Sequence, residues 1–286
     1  MAENEWVTGN VRLNIKGYPL EMEMTVPAMP VKPHRMLPVL QQMASSLVEA
    51  SAQTVESQGK TISCKAGCGA CCRQPVPISE VEVYQIAELV ESMPEPRRSV
   101  IKQRFADGVA HFKKVGWFDK INGQYEDGKK KESVTAVREA IDVVMEYFYE
   151  GIPCPFLENE SCSIHPNRPI ACREYLVTSP AENCAKPTAQ TVRVVDLILK
   201  PSRTVRELGR TGQMKDYGLL TLIRALELAE LVPENFEEKT GEAWMADFFR
   251  SLTKQEVPEI QPEPVSVKRA KKRMKRRGKR PAVAQR

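Results

Sequence analysis

Eight cysteines gathered into two irregular stretches constrain this chain more than any other feature. The first stretch, CKAGCGACC, places Cys64, Cys68, Cys71 and Cys72 in the spacing C-x3-C-x2-C-C. The second carries Cys154, Cys162 and Cys172, with Cys184 further on, in a proline-rich segment. A bridge between the adjacent Cys71 and Cys72 would strain the peptide between them, and Cys64 and Cys68 lie too close together to staple anything distant. In a reducing compartment, clustered thiols serve metals or redox chemistry more readily than cross-links. Thiolates two to four residues apart reach one ion at little loop-closure cost. Gly67 and Gly69 are expected to let the backbone turn and aim amides at sulfur. Lys65, Arg73 and Arg173 are expected to lower the thiol pKa values.

Soft sulfur donors suit zinc, iron and iron–sulfur clusters, and argue against magnesium or calcium. Four thiolates per ion allow two all-cysteine zinc sites, or one iron–sulfur cluster with thiols to spare. His165, between Cys162 and Cys172, is a candidate additional ligand; a surface or hydrogen-bonded histidine is the competing reading. Arg168 and Arg173 are candidates to bond sulfur or hold an anion, with ordinary ion pairs as the alternative. C-x3-C-x2-C is also the spacing of radical S-adenosylmethionine enzymes. Their aromatic residue before the third cysteine is replaced here by Ala70, and no run of βα units follows.

A chain of 286 residues can bury a core without covalent staples. Its start lacks a leader pattern and no apolar run approaches the roughly 20 residues of a membrane span, so a cytoplasmic protein with no transmembrane segment is expected. The net charge of +5 is uneven. Residues 268–286 hold 11 of the 42 Lys and Arg and no acid, leaving a body with 31 basic and 37 acidic side chains. In that tail, Lys271, Lys272, Arg273, Lys275, Arg276 and Arg277 lack interleaved aromatics. They suit phosphate contacts with RNA, DNA or another polyanion, or simply a solvated disordered tail.

Periodicity predicts a mainly α fold: a helical domain around a cysteine-rich irregular metal-binding segment, with an N-terminal β-hairpin and a disordered basic C-terminal tail. Val11, Leu13 and Ile15, then Leu20, Met22, Met24 and Val26, alternate as hairpin strands. Leu37, Leu40, Met43 and Leu47 mark a helix ending near Gly59. Ser79 and Glu82 form a capping box for a helix that turns Val83, Ile86, Val90 and Met93 inward. A helix follows from Pro96 to about Phe112, then a polar loop over 119–132. The next helix, 133–149, carries a stripe of Val134, Val137, Ile141, Val144 and Phe148. Residues 191–199 suit a strand or a helix start, Leu219, Leu222, Ile223 and Leu226 a late helix, and 240–252 one more. The expected divisions are 1–33 for the hairpin and proline-rich connector, 34–252 for the metal-binding domain, and 253–286 for linker and tail.

CKAGCGACCRQPVPISEVEVYQIA and CPFLENESCSIHPNRPIACREY together resemble the YkgJ-type cysteine-cluster family of zinc- or iron-chelating domains. The resemblance covers roughly residues 60–190. It implies Cys64, Cys68, Cys71, Cys72, Cys154, Cys162 and Cys172 as metal-associated residues, with Cys184 less fixed and Arg168 and Arg173 as motif positions. Flagellin lysine-N-methylases look like relatives. The leading expectation is therefore a metal-binding protein holding zinc or iron, with an iron–sulfur cluster and a redox or metal-handling role open to it. A cluster-dependent protein-modifying enzyme such as a lysine methyltransferase, and a nucleic-acid-associated protein with structural zinc, are the alternatives.

Overall fold

A computed structural model of the chain describes residues 5–15, 18–128 and 134–253. The linker and basic tail expected over 253–286, with Lys271 to Arg277, lie outside the described residues apart from Thr253. The described residues fall within one compact unit.

Alternating apolar residues make the antiparallel hairpin of β1 (Trp6–Ile15) and β2 (Tyr18–Pro27), registered with Val7 opposite Val26 and Gly9 opposite Met24. Met24 and Val26 turn inward. Gly241 sits where any Cβ would strike Val26 and Pro27, which lets the start of α9 (Gly241–Thr253) close on the hairpin. Further along α9, the Trp244 indole N–H donates to the Val31 carbonyl at 2.8 Å.

The helix α1 (Leu37–Ser57) buries Leu37, Leu40, Met43 and Leu47 along one stripe, as the 3.6-residue period requires. Its neighbour α2 (Glu80–Glu91) opens on the expected capping box and turns Val83, Ile86 and Val90 into the core. Next, α3 (Arg97–Lys114) buries Ile101, Phe105, Val109 and Phe112. Gly108 allows Ile223 to approach α3 more closely than a side chain would permit.

Residues 119–128 depart from the loop expected over 119–132: α4 spans Trp117–Gly128. Its apolar face is Trp117 and Phe118, just before the polar run, with Ile121 inside it, and packs with Phe112, Val143 and Tyr147. Phe112 stacks on Tyr147 at 3.9 Å, and the Trp117 N–H donates to the Val143 carbonyl at 2.8 Å. In α5 (Val134–Tyr149), Ile141 is 55% exposed rather than buried, and the inward face is Val143, Tyr147 and Phe148 with Val144 beside them. The surroundings of Val134 and Val137 lie outside the description. Residues 191–199 are neither strand nor helix; they are tied by an isolated bridge between Val177 and Val194 and by N–H groups of Arg193 and Ile198 donating to Ser179 and Ser51. The late helix α8 (Ala225–Leu231) begins only after a 3-10 turn at Leu222–Arg224.

The cysteine segments themselves contain little regular structure. They hold the two-residue strands β3 (Leu157–Glu158) and β4 (Ser161–Cys162), the one-turn α6 (Ile170–Arg173) and several 3-10 turns. A further short helix, α7 (Pro201–Val205), follows. No helix among the described residues is long and apolar enough to cross a membrane.

Candidate metal centre

The two cysteine groups meet. Cys71, Cys72, Cys154, Cys162 and Cys172 line one cavity of about 290 Å³. They come from three short pieces: the 3-10 turn Ala70–Arg73, the β3–β4 ribbon with its approach, and α6. The backbone joins the pieces directly, with the Cys154 N–H donating to the Cys72 carbonyl at 2.7 Å. Cys64, Cys68 and Cys184 are not among the lining residues; Cys64 and Cys184 are within electrostatic reach of Cys71, and Cys68 within reach of Cys64 and Cys184. Cys184 is buried in the turn Ala181–Ala185, which packs on Ala70–Arg73. His165 is exposed and is not among the residues lining this cavity.

Helices fix these pieces through polar groups set on otherwise apolar faces. Glu82, buried on α2, accepts from Ser79 N–H and Oγ with one oxygen and from Ile170 N–H at 2.9 Å with the other. Its capping box therefore also holds the start of α6. Gln41 on α1 donates to the Arg168 carbonyl at 3.4 Å and to Gln85 at 3.0 Å. The buried Arg173 guanidinium donates to Ser45 Oγ at 2.9 Å, to the Arg168 carbonyl at 3.2 Å and to the Pro166 carbonyl. Arg173 thus clamps the loop to α1 and is not one of the cavity-lining residues. Glu174 does line the cavity, where both its oxygens accept from Ser202, at 2.7 Å from the N–H and 2.6 Å from the hydroxyl.

Burial governs the thiols. It pushes Cys154 up to about 12 and raises Cys172, Cys162, Cys64 and Cys184, with neighbouring thiols adding to the rise. Cys71 alone falls, to about 7, because the Cys72 thiol donates a hydrogen bond to it; Cys72 is raised in return. The expected lowering by Lys65, Arg73 and Arg173 is largely absent. Arg73 is spent on a bidentate pair with Glu160 at 2.7 and 3.0 Å, and Arg173 pulls only weakly on Cys162. Arg168 is the cation that acts on Cys64, Cys71, Cys162 and Cys172; its Nε is buried without a hydrogen-bond partner among the described residues.

Amides reach sulfur from Val177 (3.4 Å to Cys64 Sγ), Phe156 and Ile164, not from Gly67 or Gly69. Gly67 does take a positive φ of 82°. Gly69 serves for another reason, since a Cβ there would strike Glu160 and Leu157.

The donor set fits a soft cation: an array of thiols that repel one another as thiolates, beside one arginine, accepts positive charge. Among the described residues, no three Cys, His, Asp or Glu side chains stand ready to hold an ion. Gln41, Ser45, Glu82, Glu174 and Ser202 were not singled out as site residues by spacing. For Gln41 and Ser45 the available signal was a polar residue on an apolar helix stripe.

The model of a family described as "Putative zinc- or iron-chelating domain", CxxCxxCC, matches residues 63–190. No curated protein and no solved structure matches the chain.

Proposed function

We propose that the cavity is where this protein holds its metal, on the ground that residues 63–190 match the model of the CxxCxxCC family, described as zinc- or iron-chelating. Cys71, Cys72, Cys154, Cys162 and Cys172 are its ligand pool, with Cys64, Cys68 and Cys184 as a flanking set. The observation that carries this reading is the convergence of five thiols from three chain segments on one cavity.

Iron in an iron–sulfur cluster is the occupant this arrangement favours. Five thiols exceed what one tetrahedral zinc uses, and the apolar walls of Val76, Phe156 and Ile164 leave room for a bulkier inorganic group. When bound, such a group supplies one-electron chemistry. The chain's own residues would orient it: Arg168 offers positive charge and a free N–H, and the Val177, Phe156 and Ile164 amides soften the charge on sulfur.

A structural zinc is the second reading, favoured by the scarcity of regular structure in the segments it would organise. Protein-modifying activity rests on the family resemblance alone.

Protein purified without oxygen tests this, with a visible spectrum and with iron, zinc and acid-labile sulfide quantified on one sample. Matching iron and sulfide with a broad band at about 400 nm support the cluster. A colourless protein with stoichiometric zinc supports the structural role. No metal in stoichiometric amount overturns both.

A further inference from the structure

A second cavity, of about 270 Å³, lies among α7, the turn after it, the start of α2 and residues 214–220. Arg203, Arg206 and Arg210 enter it at helical spacing, and Lys215 joins them. Two carboxylates share the lining, and both are engaged. Glu80 accepts from Thr211 N–H at 2.9 Å and Thr211 Oγ1 at 2.8 Å, while Glu207 pairs with Arg210 at 3.4 Å. The side chains of Arg203, Arg206 and Lys215 make no hydrogen bond or ion pair among the described residues. Four cations against two carboxylates leave the lining with two positive charges in excess. Behind the wall, Arg206 also feels the buried Glu82, whose oxygens are taken by Ser79 and Ile170.

We propose that this cavity binds the dianionic phosphate of a small phosphate monoester. Guanidinium groups offer paired N–H donors that match phosphate oxygens, and Lys215 adds a point charge. Buried Ile78 and Met214, and partly exposed Leu219 and Leu220, share the lining. These give an apolar floor for the organic part of the ligand. The excess of two charges matches a terminal monoester better than the single charge of a phosphodiester, so a nucleic-acid backbone is the poorer fit. The site stands independently of the metal.

Titration calorimetry on the full chain at fixed chloride concentration, with phenyl phosphate and its methyl diester as probes, tests the assignment. The monoester is expected to saturate one site per chain and to bind at least roughly tenfold more tightly than the diester. The double variant Arg203→Gln/Arg206→Gln should weaken the monoester at least about tenfold, with melting temperature and metal content unchanged. Should that variant unfold, Lys215→Gln, altered at an exposed position, must show weakened binding with the fold intact. Absence of a saturable site, equal binding of monoester and diester, or unchanged affinity in folded variants overturns the proposal. Persistence of weak binding in the variants would then belong to the basic tail.

Discussion

Cys154 N–H donates to the Cys72 carbonyl at 2.7 Å, so the two cysteine motifs meet through their backbones as well as their side chains. The pairing places the first thiol of one motif against the last of the other, independently of any ion. The metal-free chain is therefore expected to keep the two motifs adjacent while each segment remains only weakly ordered.

Removing a thiol from the cavity should have a different effect from removing one at its margin. Cys154→Ser, Cys162→Ser and Cys172→Ser are each expected to lower metal affinity by more than the roughly 10–100-fold that supporting residues cost. They should also lower the melting temperature of metal-loaded protein. Cys184→Ser, in the flanking set, should retain more metal than these three. Metal analysis and thermal denaturation on the same preparations check this, and unchanged stoichiometry in all three cavity variants would remove the ligand assignment.

Metal binding should strengthen as pH rises. Burial raises Cys154, Cys162 and Cys172, so these thiols carry protons near neutrality and must release them on coordination. Each proton released steepens the affinity by about tenfold per pH unit. Stability of the metal-free protein runs the other way. Unfolded thiols ionise near about 8.5, before the raised native ones, so native stability is full below that pH and falls as pH climbs towards the native values. Calorimetry in buffers of different ionisation enthalpy counts the protons, and denaturation between pH 7 and pH 10 tests the sign.

Cys71 is expected to be the first thiol alkylated in metal-free protein. The hydrogen bond from Cys72 brings it to about 7, while burial keeps Cys154 and Cys172 protonated. Brief iodoacetamide treatment at pH 7 followed by peptide mass spectrometry checks the order. Labelling of Cys154 or Cys172 ahead of Cys71 would contradict it.

The sequence made some of this legible for clear reasons. Leu37 to Leu47 and Val83 to Val90 repeat at the helical period because each buries one face, and Ser79 with Glu82 marks a helix start by local chemistry. The α4 helix was hidden because two of its buried residues, Trp117 and Phe118, precede a polar run that reads as loop, and Ile121 stands alone among its polar residues. In α5, Ile141 fits the period but faces solvent, because α4 covers the side bearing Val143 and Tyr147. At the site, residue types were readable and pairings were not. Lys65 and Arg73 neighbour cysteines in the chain, but Glu160 takes Arg73 across space and leaves Arg168 facing the thiols. That exchange depends on how the β3–β4 ribbon folds back, which no local spacing encodes.

Arg173 offers a test of how far the site depends on its clamp. Its guanidinium serves Ser45 Oγ and two carbonyls from within a buried position. Arg173→Ala leaves Ser45 Oγ and the Pro166 carbonyl without this donor, while the Arg168 carbonyl keeps only Gln41, at about 1–3 kcal/mol for each acceptor that water cannot reach. Arg173→Lys should rescue little, because one ammonium cannot reproduce the planar fork. Both variants are expected to destabilise the protein and to loosen the Arg168 segment, so metal affinity should fall with stability while the number of metal-bound cysteines stays the same. Denaturant unfolding together with metal titration separates this from loss of a ligand. A variant that keeps full stability but loses a bound thiol would show that Arg173 acts on the cysteines directly.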